Sequence, residues 1–185
     1  MRRCLSWFAS IAIALAALAD DDPHPSLVPW KVIEPGAPRE TAPLVLFWVP
    51  ASREELRRSD LLTSDELTLY SSHCVAMRIV RLDDAGTLDR LEIDEELPVA
   101  VLTDAEGKVL ARSAATTAGE VEAIVREELH DRADEAEALL DDAREKAHDG
   151  ELAAAIAIYR EVWSQRCVCP RQGRTAQKAL RRLEK

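Results

Sequence analysis

Leu44-Val45-Leu46-Phe47-Trp48-Val49 is an unbroken apolar run and the strongest local pattern in the chain. A run without alternation predicts a central strand covered on both faces. Pro50 ends it, and Ser52-Arg53-Glu54-Glu55 reads as a capping box that opens a helix. Thr63-Ser64-Asp65-Glu66 starts another, with Leu67 and Tyr70 on its apolar side. From Val75 to Leu82 the pattern switches to period two, which predicts a second strand with Val75, Met77, Ile79 and Arg81 on one face. Asp83-Asp84-Ala85-Gly86 closes it, and a short helix through Leu88 and Leu91 follows. Pro98 begins a third strand that runs to Thr103. Asp104-Ala105-Glu106-Gly107 then turns the chain back through Lys108–Ala111 as a hairpin. After Gly119, Val121, Ile124, Val125 and Leu129 mark a helix. The order predicts an α/β sheet joined by helical crossovers in parallel, with a terminal hairpin and helices on both faces.

From Asp131 onward the spacing is helical throughout. Ala133, Ala136, Leu139, Leu140, Ala143 and Ala147 form one stripe. Asp149-Gly150 breaks it, and Leu152, Ala155, Ile156, Tyr159 and Trp163 mark the next helix. Ala176, Ala179, Leu180 and Leu183 mark a last short one. No Gly or Pro separates Leu129 from Ala133, so the sheet's final helix is expected to continue into this tail. Seven of the nine prolines fall between Pro23 and Pro50, so residues 20–42 read as an extended leader. Within it, Trp30-Lys31-Val32-Ile33 is the one stretch suited to an edge strand. All six glycines read as turn positions.

The beginning of the chain changes the composition that matters. Arg2 and Arg3 precede an apolar run that ends in Ala17-Leu18-Ala19, the pattern of a secretory signal peptide over residues 1–19. The run is shorter than the roughly 20 residues a spanning helix needs, so no stable membrane span is expected after cleavage. Export to a periplasmic or extracellular space follows, and Asp20 at the cleavage point favours a soluble product over a lipid anchor. Removing two arginines leaves 22 basic residues against 34 acidic ones, a net charge of −12 on 166 residues. A whole-protein electrostatic fit to nucleic acid or anionic lipid is thereby excluded.

Cys4 leaves with the signal, so Cys74, Cys167 and Cys169 remain. In an oxidising compartment that means one pair and a leftover, or three free thiols. Cys167-Val168-Cys169 could close a strained, easily reduced ring only if the backbone turns there. A metal site from these three and His73 fits no zinc spacing. The acids from Glu120 to Asp149 read as a solvated helix face, and Asp83-Asp84 as turn formers. His24, His130 and His148 suggest no ligand set, and Trp48 and Trp163 read as core anchors. No cofactor is expected.

Three local matches resemble the thioredoxin fold over residues 43–130. They are Leu44–Pro50 leading into the first helix, Leu97-Pro98-Val99-Ala100-Val101, and the hairpin Thr103-Asp104-Ala105-Glu106-Gly107-Lys108-Val109. The resemblance implies a thioredoxin-like central sheet flanked by helices, and gives Pro98 the role of the family's cis-proline. It also places the redox Cys-x-x-Cys at Ser52 and Glu55, where neither residue can form a disulfide. Ser52 and Glu55 are expected to form a helix cap there instead. In the tail, residues 131–185, Asp149–Tyr159 resembles the second helix of a tetratricopeptide repeat, with Ala155 and Tyr159 at its packing positions. One and a half repeats is too few for a self-standing array, so an α-helical hairpin docked on the sheet is expected.

The function expected is an exported, non-redox binding or scaffolding protein that takes a protein or peptide partner along the Pro98 edge. The alternative is a thiol-disulfide protein that uses Cys167 and Cys169, with Cys74, in place of the usual pair. A third class is an acidic helical adaptor for which the sheet is support.

Overall fold

The computed structural model describes residues 27–38, 40–94 and 97–184. The proposed signal segment and leader residues 20–26 lie outside them. Five strands form one mixed sheet in the order β1-β3-β2-β4-β5. β1 is Lys31–Val32, β2 Leu44–Val49, β3 Val75–Ile79, β4 Val99–Asp104 and β5 Val109–Ser113. The helices are α1 Arg53–Arg58, α2 Asp65–Ser72, α3 Ala85–Arg90, α4 Ala118–His148, α5 Leu152–Ser164 and α6 Pro170–Leu183.

β2 accounts for its own unbroken apolar sequence, since every residue in it is buried. Leu44, Leu46 and Trp48 enter one core with Leu61, Leu67, Val121 and Val125. Val45, Phe47 and Val49 enter a second core on the opposite face with Val80, Leu91 and Val101. Helices α2 and α4 therefore cover one face, while α3 and the leader around Ile33 and Ala42 cover the other. Trp30 packs its ring 5.5 Å from that of Trp48 and donates its indole N–H to the Leu61 carbonyl at 2.8 Å. That contact holds the leader to the sheet.

β3 pairs parallel with β2, but β4 pairs antiparallel with it, Val99 facing Val49. Of the two helical crossovers expected to be parallel, the one from β2 to β3 is parallel, whereas β4 enters antiparallel. β3 ends level with Trp48, and the chain re-enters the sheet at that same end after a helix of six residues. So short a return does not carry the chain back along the sheet, and an antiparallel strand results. β3 also stops at Ile79, short of the expected Leu82, because Arg81 and Leu82 leave the sheet for the turn that caps α3.

The sheet's last helix and the tail's first are one element of 31 residues, α4. The proposed boundary between residues 130 and 131 falls inside it. Its N-terminus carries a capping box ahead of the start expected after Gly119. Thr117 accepts from the Glu120 N–H, and the Glu120 carboxylate accepts from the Thr117 N–H. Asp60 accepts from the Ala118 N–H at 3.0 Å, and Ser64 donates to Glu122 at 2.6 Å, so the segment after α1 fixes where α4 begins. The far end closes in a Schellman motif, with Gly150 at φ 83° and the Glu151 N–H on the Lys146 carbonyl. Beyond it, α5 and α6 add Ala155, Tyr159, Val162, Ala176 and Leu180 to the same core that contains Leu44 and Trp48.

Not every glycine is a turn. Gly173 is buried within α6, where a Cβ would sit 2.5 Å from the Arg166 Cβ and 2.7 Å from its Cα. Gly86 and Gly119 lie in the first turns of α3 and α4.

Candidate functional site

β2 and β3 leave the sheet at the end where β4 enters it. Pro50–Arg53, Val80–Asp84 and Leu97–Pro98 therefore gather at one end of the sheet. The Leu97–Pro98 peptide bond is cis.

Ser52 and Glu55 sit at the start of α1. The Ser52 hydroxyl accepts from the Glu55 N–H at 3.1 Å, satisfying one of the unpaired donors of the first turn. The Glu55 carboxylate accepts from the Ala51 N–H at 2.6 Å, one residue further back than the expected return to Ser52. Ser52 has the extended backbone usual for an N-cap residue, φ −157°. Both side chains are occupied in ending the loop and starting the helix.

Two clefts open at this end. The first, about 340 Å³, is lined by Val32, Pro50, Ser52, Leu56, Leu82 and the Arg81–Asp83 pair, among others. Val32 and Leu82 are each 51% exposed, so its rim presents apolar surface to solvent. Arg81 grips Asp83 through two hydrogen bonds of 2.8 and 2.5 Å, which hold the Asp83 carboxyl below its ordinary range. The second cleft, about 700 Å³, follows Pro98 and Val99 between the end of α3 and the stretch after β5. Arg112 closes its floor by donating to the carbonyls of Leu91 and Glu92 at 2.7 and 3.0 Å. It thereby caps α3, whose last turn is a Schellman motif with Glu92 at φ 52°. A carboxylate residue held in left-handed backbone, with an arginine from another strand across it, is invisible to sequence spacing. Neither Glu92 nor Arg112 carries a signal in the sequence that could single it out.

The thiols are elsewhere. Cys74 lies between α2 and β3, and Cys167 in the turn between α5 and α6. The two form a disulfide with Cα atoms 5.7 Å apart. Cys74 occupies the left-handed position just past the α2 cap, φ 62°, which most helices give to glycine. Cys169, at the N-cap of α6, is 2% exposed and unpaired. Burial pushes its thiol above the ordinary value, with Arg132 pulling down and Glu135 pushing up more weakly. The Cys-x-Cys pair is thus split, one sulfur bonded across the fold and the other protonated and covered.

This makes a testable difference. Iodoacetamide at pH 8 is expected to leave Cys169 unmodified in the native chain and to label it fully after unfolding in guanidinium; mass mapping reads the result. Since the folded thiol holds its proton to higher pH than the unfolded one, the unfolded state binds fewer protons above about pH 8.5. Stability contributed by Cys169 is present below that pH and falls as pH rises through it. Native-state labelling at the rate of a free thiol would contradict both statements.

Among the described residues no three His, Cys, Asp or Glu side chains are placed to hold a metal ion, and no helix is long and apolar enough to cross a membrane. Comparison of the sequence with protein-family models finds no matching family, and a search of curated proteins finds no match either.

Proposed function

We propose that this chain is an exported thioredoxin-fold protein that has given up thiol chemistry and binds a protein or peptide segment at the Pro98 end of its sheet. The observation that carries the proposal is the start of α1. There, Ser52 and Glu55 stand where the fold's redox cysteines belong and are both engaged in backbone capping. The strand order β1-β3-β2-β4-β5, with one parallel pair and two antiparallel ones around β2 and β4, supports the fold assignment. So does the cis peptide at Leu97–Pro98. A serine hydroxyl gains no useful acidity from a helix terminus, so electrostatics cannot recover a thiolate's reactivity there. The open cleft along Pro98 and the partly exposed apolar rim at Val32 and Leu82 offer backbone and side-chain contacts to an extended segment. The tail, with Ala155 and Tyr159 buried after a Gly150 turn, is read as one tetratricopeptide-like hairpin docked against the sheet.

The redox alternative has less behind it, because Cys167 is bonded to Cys74 and Cys169 is buried. An insulin-reduction assay with dithiothreitol tests the non-redox reading: turnover is expected to match the protein-free blank, and thioredoxin-like turnover would sink it. The binding half is tested by peptides selected from a random display library on the native chain. Their chemical-shift footprint is expected at residues 97–99 and 112–116, and a footprint confined to the tail would refute that placement.

A further inference from the structure

The acidic average of the chain conceals a segregation of charge. Helix α6 holds Arg171, Arg174, Lys178, Arg181 and Arg182 and no acidic residue. It carries +5 within a chain of −10, so the remainder carries −15. The five cations recur at spacings of three and four residues, and at about 100° per residue they share an arc of roughly 100° on the helix. Gly173, Ala176 and Leu180 occupy the other side and are buried. All five cations are exposed, and none of them has an ion pair or a side-chain hydrogen bond among the described residues. Like charges stacked along roughly 17 Å of one helix face repel each other and weaken the helix that bears them. Packing of α6 requires none of them.

Helix α4 carries the opposite pattern. It has eleven acidic residues and four basic ones, a net −7. Each of the four basic residues is already in an ion pair. Glu127, Asp131, Asp134 and Glu145 remain exposed without a lysine or arginine partner among the described residues. They too lie on one arc at helical spacing, on the face opposite Val125, Ala136 and Ala143.

We propose that the α6 stripe of one molecule docks along the α4 acidic stripe of a second copy. Two helices share the same rise per residue, so Glu127, Asp131 and Asp134, spaced four and three residues apart, match three successive cations of α6, and Glu145 stands on the same arc about three turns further on. Four of the five cations are arginines, whose planar fork suits carboxylates. An extended polyanion is the poorer fit, because it carries one sign of charge along its whole length, whereas a second copy meets the cations with carboxylates on a helix and offers its own α6 in return. A bilayer is poorer still, since no apolar side chain projects from the cationic arc to enter it. The contact joins two different surfaces, so it propagates as a chain unless the two stripes meet reciprocally in a closed pair. Solvent-exposed pairs make it weak and salt-sensitive.

Sedimentation velocity on the purified chain tests this. Association is expected at about 0.1 M salt and its loss at about 1 M, where the screening length falls to about 3 Å. Arg174→Glu with Lys178→Glu, and separately Asp131→Lys with Asp134→Lys, should each weaken association by at least about tenfold while leaving the circular dichroism spectrum unchanged. Mixing the two variants in equal amounts should restore it, since the reversed α6 then faces a reversed α4. A monomer at low salt, association indifferent to both reversals, or a mixture that stays monomeric would each overturn the proposal. So would binding of phosphatidylserine vesicles or duplex DNA through α6 by a chain that does not self-associate.

Discussion

Reducing the Cys74–Cys167 disulfide lowers the melting temperature of this chain by on the order of 10–15 °C. The bridge spans 93 residues of sequence, and cross-linking so long a segment removes about 4–5 kcal/mol of chain entropy from the unfolded state. In a chain of this size each kcal/mol moves the midpoint by about 2–4 °C. The bridge ties the entry to β3 to the turn from which α6 departs. Thermal unfolding followed by circular dichroism, with and without dithiothreitol, reads the effect directly. The double variant Cys74→Ser with Cys167→Ser should match the reduced chain. A second comparison separates the bridge from its backbone. Cys74 has φ 62°, a conformation that costs a residue with a side chain about 1 kcal/mol and glycine almost nothing. Cys74→Gly with Cys167→Ser should therefore recover about 1 kcal/mol relative to the serine pair. If mass analysis shows the bridge open and the midpoint moves by less than about 2 °C, the unfolded chain is too compact for the entropy argument to apply.

How much of this is legible in sequence depends on the range of the interaction. β2 is legible because an apolar run of that length without alternation suits a strand covered on both faces, and both of its faces are indeed buried. The continuity of α4 is legible because nothing between Leu129 and Ala133 could break it. The direction of β4 is not, since Val99–Asp104 presents the same apolar pattern to its neighbour running either way. With Cys4 assigned to the proposed signal segment, the sequence reading leaves three cysteines, which allow a pair and a leftover or three free thiols. Choosing Cys167 over Cys169 requires knowing that the α5–α6 turn comes down on the end of α2. The Thr117-x-x-Glu120 box is present as a motif, yet Gly119 between its ends points to a later helix start. At the candidate site, Ser52 and Glu55 follow from local chemistry, whereas the Arg112 cap on α3 depends on two segments twenty residues apart meeting in space. The α6 stripe lies at plain helical spacing and is hidden by the averaged charge.

Gly173→Ala and Gly119→Ala make the same chemical change in two helices and should move stability in opposite directions. Alanine is favoured over glycine in a helix by about 1 kcal/mol, and at Gly119 nothing lies within 4 Å of the added Cβ. That variant should gain about 0.5–1 kcal/mol. At Gly173 the added carbon would stand 2.7 Å from the Arg166 Cα, which is backbone and cannot rotate aside. Either α6 lifts from the α5–α6 turn, uncovering Val168 and Cys169, or the turn itself moves. Overpacking of this kind costs on the order of 3 kcal/mol, and the propensity gain offsets only about 1 kcal/mol of it. A net loss of about 2 kcal/mol is expected in urea denaturation, with the slope unchanged if only the native state is strained. Because the turn carries Cys167, the same variant should also raise the labelling rate of Cys169 in the native state, a readout that loss of helix propensity would not produce. Equal midpoints for the two alanine variants would mean that α6 can slide over Arg166 without cost, and the close approach at Gly173 would then have no part in fixing the tail.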